Sequence, residues 1–173
     1  IFFVISGFVI CRSWMSDGDD WDLKKVGKFF KARISRILPA LIFMLFGCMV
    51  AGYFLMFNDE FRILSQQIEN SLLFFSNFYY SSRLNYFNSQ DVWPLLNTWS
   101  LSVEEQFYVV FPLLCIIMRN NLGWFFLGAT AISFCLALIS TDAMDIFFMP
   151  YLRFFEIGIG VCASLLMVRY RFD

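Results

Sequence analysis

Histidine is missing altogether from this chain of 173 residues, and charge is scarce, at 16% of positions. A soluble domain carries about a quarter charged residues. Without histidine, the stretch lacks both the commonest zinc ligand and the commonest general base. Net charge is -1, so no bulk basic signal points to nucleic acid. There are 4 prolines and 9 glycines, with no cluster of them that would make a linker. No internal repeat or low-complexity tract appears. No P-loop, GxGxxG, GxSxG or HExxH motif occurs, which leaves those chemistries without support. The five cysteines, Cys11, Cys48, Cys115, Cys135 and Cys162, form no CxxC pair. They read as small buried thiols, neither disulfides nor metal ligands, and no metal site is expected.

What is abundant is apolar. Hydrophobic residues make up 60% of the chain and aromatics 21%, with phenylalanine at 24 positions. Mean hydropathy is +0.66. This composition predicts an all-α, polytopic transmembrane helix bundle, folded as one membrane domain over residues 1–173. Four apolar runs, 37–57, 99–118, 122–140 and 146–168, are each long enough to cross a hydrocarbon core of about 30 Å. The opening run, 1–11, is too short to span and has no basic residues before it, so it is no signal peptide. It is expected to be the latter part of a membrane helix, with the chain cut at both ends. Residues 68–80 carry Glu69, Asn70 and Asn77 and read as an interfacial or re-entrant piece.

The charges set an orientation. Arg12, Lys24, Lys25, Lys28, Lys31, Arg33 and Arg36 crowd residues 11–36, opposed by Asp17, Asp19, Asp20 and Asp22. Arg119, Arg169 and Arg171 follow later spans, whereas the turn 141–145 holds Asp142 and Asp145 and no base. By the positive-inside rule, 11–36 and the other arginine-bearing ends are cytoplasmic, and the spans alternate consistently.

Three groups of polar residues interrupt the apolar pattern. In NTWSLSVEEQFYVVFPLL (97–114), Glu104 and Glu105 stand at the mouth of an uncharged run. Ser102 and Glu105 fit an S-x-x-E capping box, which would start the helix at Ser102. A helix starting near Thr98 fits the bilayer better and sinks both carboxylates one to two turns inside, near the outer interface. An ionised side chain costs about 2.5–3.5 kcal/mol at the centre of a span and less near its edge. Such a group needs a cavity or a partner, and Ser100 and Tyr108 share the face of Glu104. Arg33 and Arg36 lie three apart at the cytoplasmic mouth of a span, with Pro39 in the following first turn. Two guanidiniums there suit a phosphate or pyrophosphate, or simply anchor the helix at lipid phosphate. Arg153 and Glu156 are spaced i,i+3, as an intramembrane ion pair or as part of a site. Small residues offer close helix approach at Gly47 with Ala51 and at Gly160 with Ser164. The Ser6–Gly7 pair offers either a packing notch or a place where ligand meets backbone.

These groups, in this order, resemble the bacterial acyltransferase family 3. The matching stretches are FFVISGFVI (2–10), FFKARISRILPALI (29–42), LLFFSNFYY (72–80), NTWSLSVEEQFYVVFPLL (97–114) and PYLRFFEIGIG (150–160). The stretch TWSLSVEEQFY, with Trp99, Ser100, Ser102 and Tyr108, is the most specific of them. The resemblance implies an integral O-acyltransferase of the bacterial cytoplasmic (inner) membrane with about ten spans. It implies an acyl-CoA cosubstrate, usually acetyl-CoA, with no bound cofactor. The acceptor it implies is a hydroxyl of a surface glycan such as lipopolysaccharide O-antigen or exopolysaccharide. Arg33 and Arg36 would hold the donor. Glu104, Glu105, Arg153 and Glu156 would form the catalytic polar set, supported by Ser6, Gly7, Trp99, Ser100, Ser102 and Tyr108. The family's catalytic histidine would lie in a helix before Ile1, so this stretch alone is expected to be inactive. Two other readings use the same spans and charges: a lipid-linked glycan transporter or flippase, and a non-catalytic assembly subunit.

Overall fold

The computed structural model describes residues 1–16, 23–83, 93–119 and 121–171. Asp17, Asp19, Asp20 and Asp22, and the side chains of Arg169 and Arg171, fall outside the described set. Among the described residues every regular element is an α-helix: α1 (Phe2–Ser16), α2 (Leu23–Leu55), α3 (Asn58–Leu72), α4 (Ser76–Arg83), α5 (Thr98–Ile117), α6 (Leu122–Ile139), α7 (Ala143–Phe148) and α8 (Pro150–Arg171). Four stretches are long and apolar enough to cross a membrane: Lys24–Leu55, Thr98–Ile117, Leu122–Ile139 and Ala143–Val168. The expected all-α transmembrane architecture is thus present.

Two boundaries differ from expectation. α2 begins at Leu23, not near residue 37, so Pro39 lies inside it and not at its start. Lysine and arginine are good helix formers, and the stretch between Leu23 and Arg36 holds one breaker, Gly27, which costs only about 1 kcal/mol. The basic residues from Lys24 onward are therefore helical. The run 146–168 is broken at Met149, whose ψ of 128 is extended. Pro150 forces this, because its ring disfavours the α region for the residue before it. Asp142 caps α7 by accepting the Met144 amide at 2.9 Å.

The chain divides into two compact units, 1–29 with 107–173, and 30–106. In the first, α1 packs closely on α8. A Cβ on Gly160 would sit 2.0 Å from the Val4 carbonyl oxygen, and one on Gly7 2.2 Å from that of Ile157. Only glycine allows backbones this near. The Ser6–Gly7 pair therefore includes a packing notch. Gly47 has nothing within 4 Å of its Cβ position and packs nothing. α6 is tied to α8 through Ser133, whose hydroxyl donates to the Tyr151 carbonyl (2.7 Å) and accepts the Phe155 amide (3.0 Å). Phe126 stacks on Phe154 at 6.1 Å, and Trp14 meets Phe29 and Phe111 edge-on. All five cysteines are free thiols, but only Cys11 and Cys115 are buried, and Cys135 is exposed on α6. The expectation of uniformly buried thiols is corrected there, since an apolar span leaves a lipid-facing side on which a thiol is tolerated.

In the second unit, α3 turns back along α2. Leu41 and Leu45 of α2, Leu64 of α3 and Leu95 form a buried cluster, with Ile68, Phe74 and Leu101 packed against it. Gly52 lets α3 approach, as its Cβ would fall 2.3 Å from a Leu64 methyl. α3 and α4 meet at a sharp break in which Phe74 takes a positive φ of 55. Residues 68–80, expected to be interfacial or re-entrant, thus form the closed end of a helical hairpin.

Candidate functional site

α5 starts at Thr98. The capping-box reading at Ser102 is therefore replaced, because Ser102 lies a full turn inside the helix. Its hydroxyl donates to the Thr98 carbonyl (3.2 Å) and accepts the Ser76 amide (3.3 Å). Thr98, Ser71 and Ser76 join it, with hydroxyl separations of 2.9–3.1 Å. Gln67 is fully buried, and its side-chain oxygen accepts from Tyr80 Oη (3.1 Å) and the Leu95 amide (3.2 Å). Burial pushes the Tyr80 phenol well above its ordinary range, which keeps it a proton donor to Gln67. Ser102 therefore holds the hairpin to α5. Ser100 is occupied locally, donating to the Asn97 carbonyl at 3.1 Å. Trp99 is half-buried.

Within this unit Glu104 is buried, at 5% exposure, and Glu105 is half-buried. The charges that act on Glu105 are those of Glu104 and Arg33. Glu105 Oε1 is buried and accepts no hydrogen bond from the described residues. Spacing had put the arginines and the carboxylates at opposite mouths of their spans. The level at which α5 begins accounts for the difference, because Leu95 and Leu101, on either side of Thr98, pack against Leu41 and Leu45, midway along α2. Glu105 is about 10 Å into α5. Two carboxylates and one guanidinium thus lie within electrostatic reach of one another, and the positive charge offsets part of the cost of burying the carboxylates. Arg36, one turn beyond Arg33, is exposed.

Gln106, which spacing did not single out, is the next residue on α5. Its amide nitrogen donates to the Phe74 carbonyl (2.8 Å) and to Asn77 Oδ1 (2.9 Å), where Asn77 is fully buried. The signal was present in LLFFSNFYY, a polar Ser-Asn pair inside an aromatic run that needs a polar partner.

In the other unit, Ser6 Oγ and Tyr108 Oη share a hydrogen bond of 2.6 Å. Arg153 and Glu156 form an ion pair on α8. The Arg153 Nε donates to the Phe147 carbonyl (3.3 Å), and its guanidinium lies 5.1 Å from the Phe147 ring. No cluster of three or more potential metal ligands occurs among the described residues.

These features define a polytopic helical membrane protein that keeps carboxylates and arginines within its spans. The acyltransferase 3 family model, an acyltransferase domain, matches residues 1–172, and the chain belongs to that family. A Staphylococcus aureus (strain COL) protein provisionally named as an O-acetyltransferase is 33% identical over 178 residues, covering 95% of this chain and 29% of that protein. O-acetyltransferase OatA of Staphylococcus aureus (strain NCTC 8325 / PS 47) is 36% identical over 122 residues, covering 69% of this chain and 20% of its own length. The chain thus spans less than a third of these relatives. No solved structure matches it.

Proposed function

We propose that the protein of which this chain is a part is a membrane O-acyltransferase that moves an acyl group, acetyl by default, from acyl-CoA to a hydroxyl of a cell-surface glycan. The observation that carries this reading is the Glu104–Glu105–Arg33 cluster inside an acyltransferase-family membrane domain. Naming of similar proteins as O-acetyltransferases supports it. A transporter gives no reason for such a match.

In the reaction, the sugar oxygen attacks the thioester carbonyl carbon. The C–S bond breaks, and the departing thiolate takes up the proton that the hydroxyl released. Arg36, exposed on α2 one turn beyond Arg33, offers with it a fixed positive charge to the phosphates of the donor. Glu104 and Glu105 orient the acceptor hydroxyl or the group that takes its proton, which suits carboxylates screened from water. The basic face, residues 11–36, is the cytoplasmic one, where acyl-CoA is available.

The test uses the full-length protein in membranes with radiolabelled acetyl-CoA. Arg36→Ala is expected to raise the acetyl-CoA KM about tenfold, the worth of a single charge-assisted contact of about 1.5 kcal/mol. An unchanged KM and rate would remove Arg36 from the donor site.

A further inference from the structure

α3 ends on an unusual residue. The Phe75 amide donates to the Asn70 carbonyl (2.8 Å) and the Phe74 amide to the Ser71 carbonyl (3.3 Å), the two bonds of a Schellman stop. The residue that turns the chain there, Phe74, takes a left-handed φ of 55. Glycine, or sometimes asparagine, usually fills that position, because a Cβ crowds the backbone. A bulky side chain in that conformation is strained, and such strain persists only where the surroundings over-determine it. Points of this kind gather at functional sites.

Two contacts hold Phe74. It packs against the cluster of Leu41, Leu45, Leu64 and Leu95. Its carbonyl accepts the Gln106 amide nitrogen at 2.8 Å, and the same nitrogen donates to Asn77 Oδ1 at 2.9 Å. One turn back on α5, Ser102 Oγ accepts the Ser76 amide at 3.3 Å. Residues 74–77 thus grip α5 at Ser102 and at Gln106, on either side of Glu104 and Glu105. Leu101, one turn before Glu105, packs against the same leucine cluster. Ser76, Asn77 and Ser102 are buried, so the grip is independent of whatever covers the outside of the hairpin. Glu105 Oε1 is buried and accepts no hydrogen bond from the described residues, so the place of this carboxylate depends on the helix turn beneath it.

We infer that Gln106 is a positioning residue: by holding Phe74 and Asn77 it fixes the turn of α5 that carries Glu105, and so sets where that carboxylate stands during transfer. The role rests on the proposed acyltransferase reading for the reaction it serves. Misplacing a reacting group by about 1 Å costs about 100-fold in rate. A glutamine suits the task because its single amide nitrogen carries two protons, one for each acceptor. The left-handed turn at Phe74 serves the same end, since it lets the Phe74 carbonyl and Asn77 converge on that nitrogen.

The experiment measures acyl transfer from radiolabelled acetyl-CoA to the host's surface glycan by the full-length protein, below the melting temperature of every variant. Gln106→Met, which fills similar space and donates nothing, is expected to lower kcat about tenfold or more and to leave both KM values within about twofold. Asn77→Ala, which removes one acceptor only, should lower kcat less. Ser133→Ala cuts the bonds between α6 and α8, and is expected to lower the melting temperature with kcat within about twofold. On a Glu105→Gln background Gln106→Met should cost nothing further, because a residue that acts through another is silent once the other is gone. A second readout needs no turnover: the rate at which dicyclohexylcarbodiimide, a membrane-soluble carboxyl reagent, modifies Glu105. Gln106→Met should raise that rate about fivefold as the turn loosens, and Ser133→Ala should not change it. Unchanged kcat in Gln106→Met and Asn77→Ala, or a full repeat of the loss on Glu105→Gln, would overturn the positioning role. So would equal carbodiimide labelling of Gln106→Met and the unsubstituted protein. If the labelling rises but the unsubstituted protein transfers no acyl group, the acyltransferase reading fails and the positioning of Glu105 stands.

Discussion

Glu104 is the residue that most needs explaining. An ionised carboxylate in the middle of a span costs about 2.5–3.5 kcal/mol, and this chain sets two side by side. A merely structural polar residue is met far more cheaply, as the serine and threonine hydroxyls of the hairpin are. At this scale, the acyltransferase account predicts that Glu105→Gln retains the fold and lowers the acyl transfer rate at least 100-fold, the usual worth of a positioned acid or base. Melting temperature in detergent and turnover of the same preparation separate the two effects. A second prediction concerns Gly160. The missing methyl of Gly160→Ala would press on the Val4 carbonyl at 2.0 Å, a backbone atom that cannot rotate away. Overpacking of this kind costs about 1–3 kcal/mol. Thermal unfolding should show the loss, and Gly47→Ala, with open space around it, should be neutral within about 0.5 kcal/mol.

At the scale of elements, the helices α5 and α6 were legible in the sequence because long apolar runs have one solution in a bilayer. The start of α5 at Thr98 followed from bilayer thickness against the local S-x-x-E pattern. The start of α2 was not legible. Hydropathy stops at residue 37, but helix propensity does not, and Lys and Arg continue the helix into water. The proximity of Arg33 to Glu105 was hidden for another reason: contacts between distant leucines, Leu95 and Leu101 with Leu41 and Leu45, set the start of α5 beside the middle of α2. The hairpin was half legible: Glu69, Asn70 and Asn77 marked 68–80 as no simple span, but Ser76 and Asn77 find partners in Thr98 and Gln106, 22 and 29 residues away in sequence. Gln106→Leu tests this element. It leaves the Phe74 carbonyl and Asn77 Oδ1 without their donor. A buried group so stranded costs about 1–3 kcal/mol, although hydrogen bonds inside membranes average nearer 0.6 kcal/mol. The expected outcome is a stability loss of about 1–3 kcal/mol with faster hydrogen exchange in 70–80, while exchange in α6 is unchanged.

At the scale of the molecule, composition alone gave the class. A chain with 60% hydrophobic residues and 16% charged ones must hide most of its surface from water. Family membership rests on motifs scattered from one end of the chain to the other, and the structure explains part of why they occur together. LLFFSNFYY and TWSLSVEEQFY are halves of one hydrogen-bonded assembly, joined through Thr98, Ser102 and Gln106. FFVISGFVI and PYLRFFEIGIG are halves of another, in which Gly7 and Gly160 let α1 and α8 touch. Spacing within each motif could not reveal either pairing, because both are contacts between distant helices.

The measurement that bears most directly on the central claim is acyl transfer from radiolabelled acetyl-CoA to the surface glycan of the host. It compares the full-length protein with its Glu104→Gln, Glu105→Gln variant at matched expression and matched melting temperature. The account predicts label in the glycan with the unmodified protein and at least 100-fold less with the variant. Full transfer by the variant would make the carboxylates structural, and no transfer by the unmodified protein would contradict the acyltransferase assignment itself.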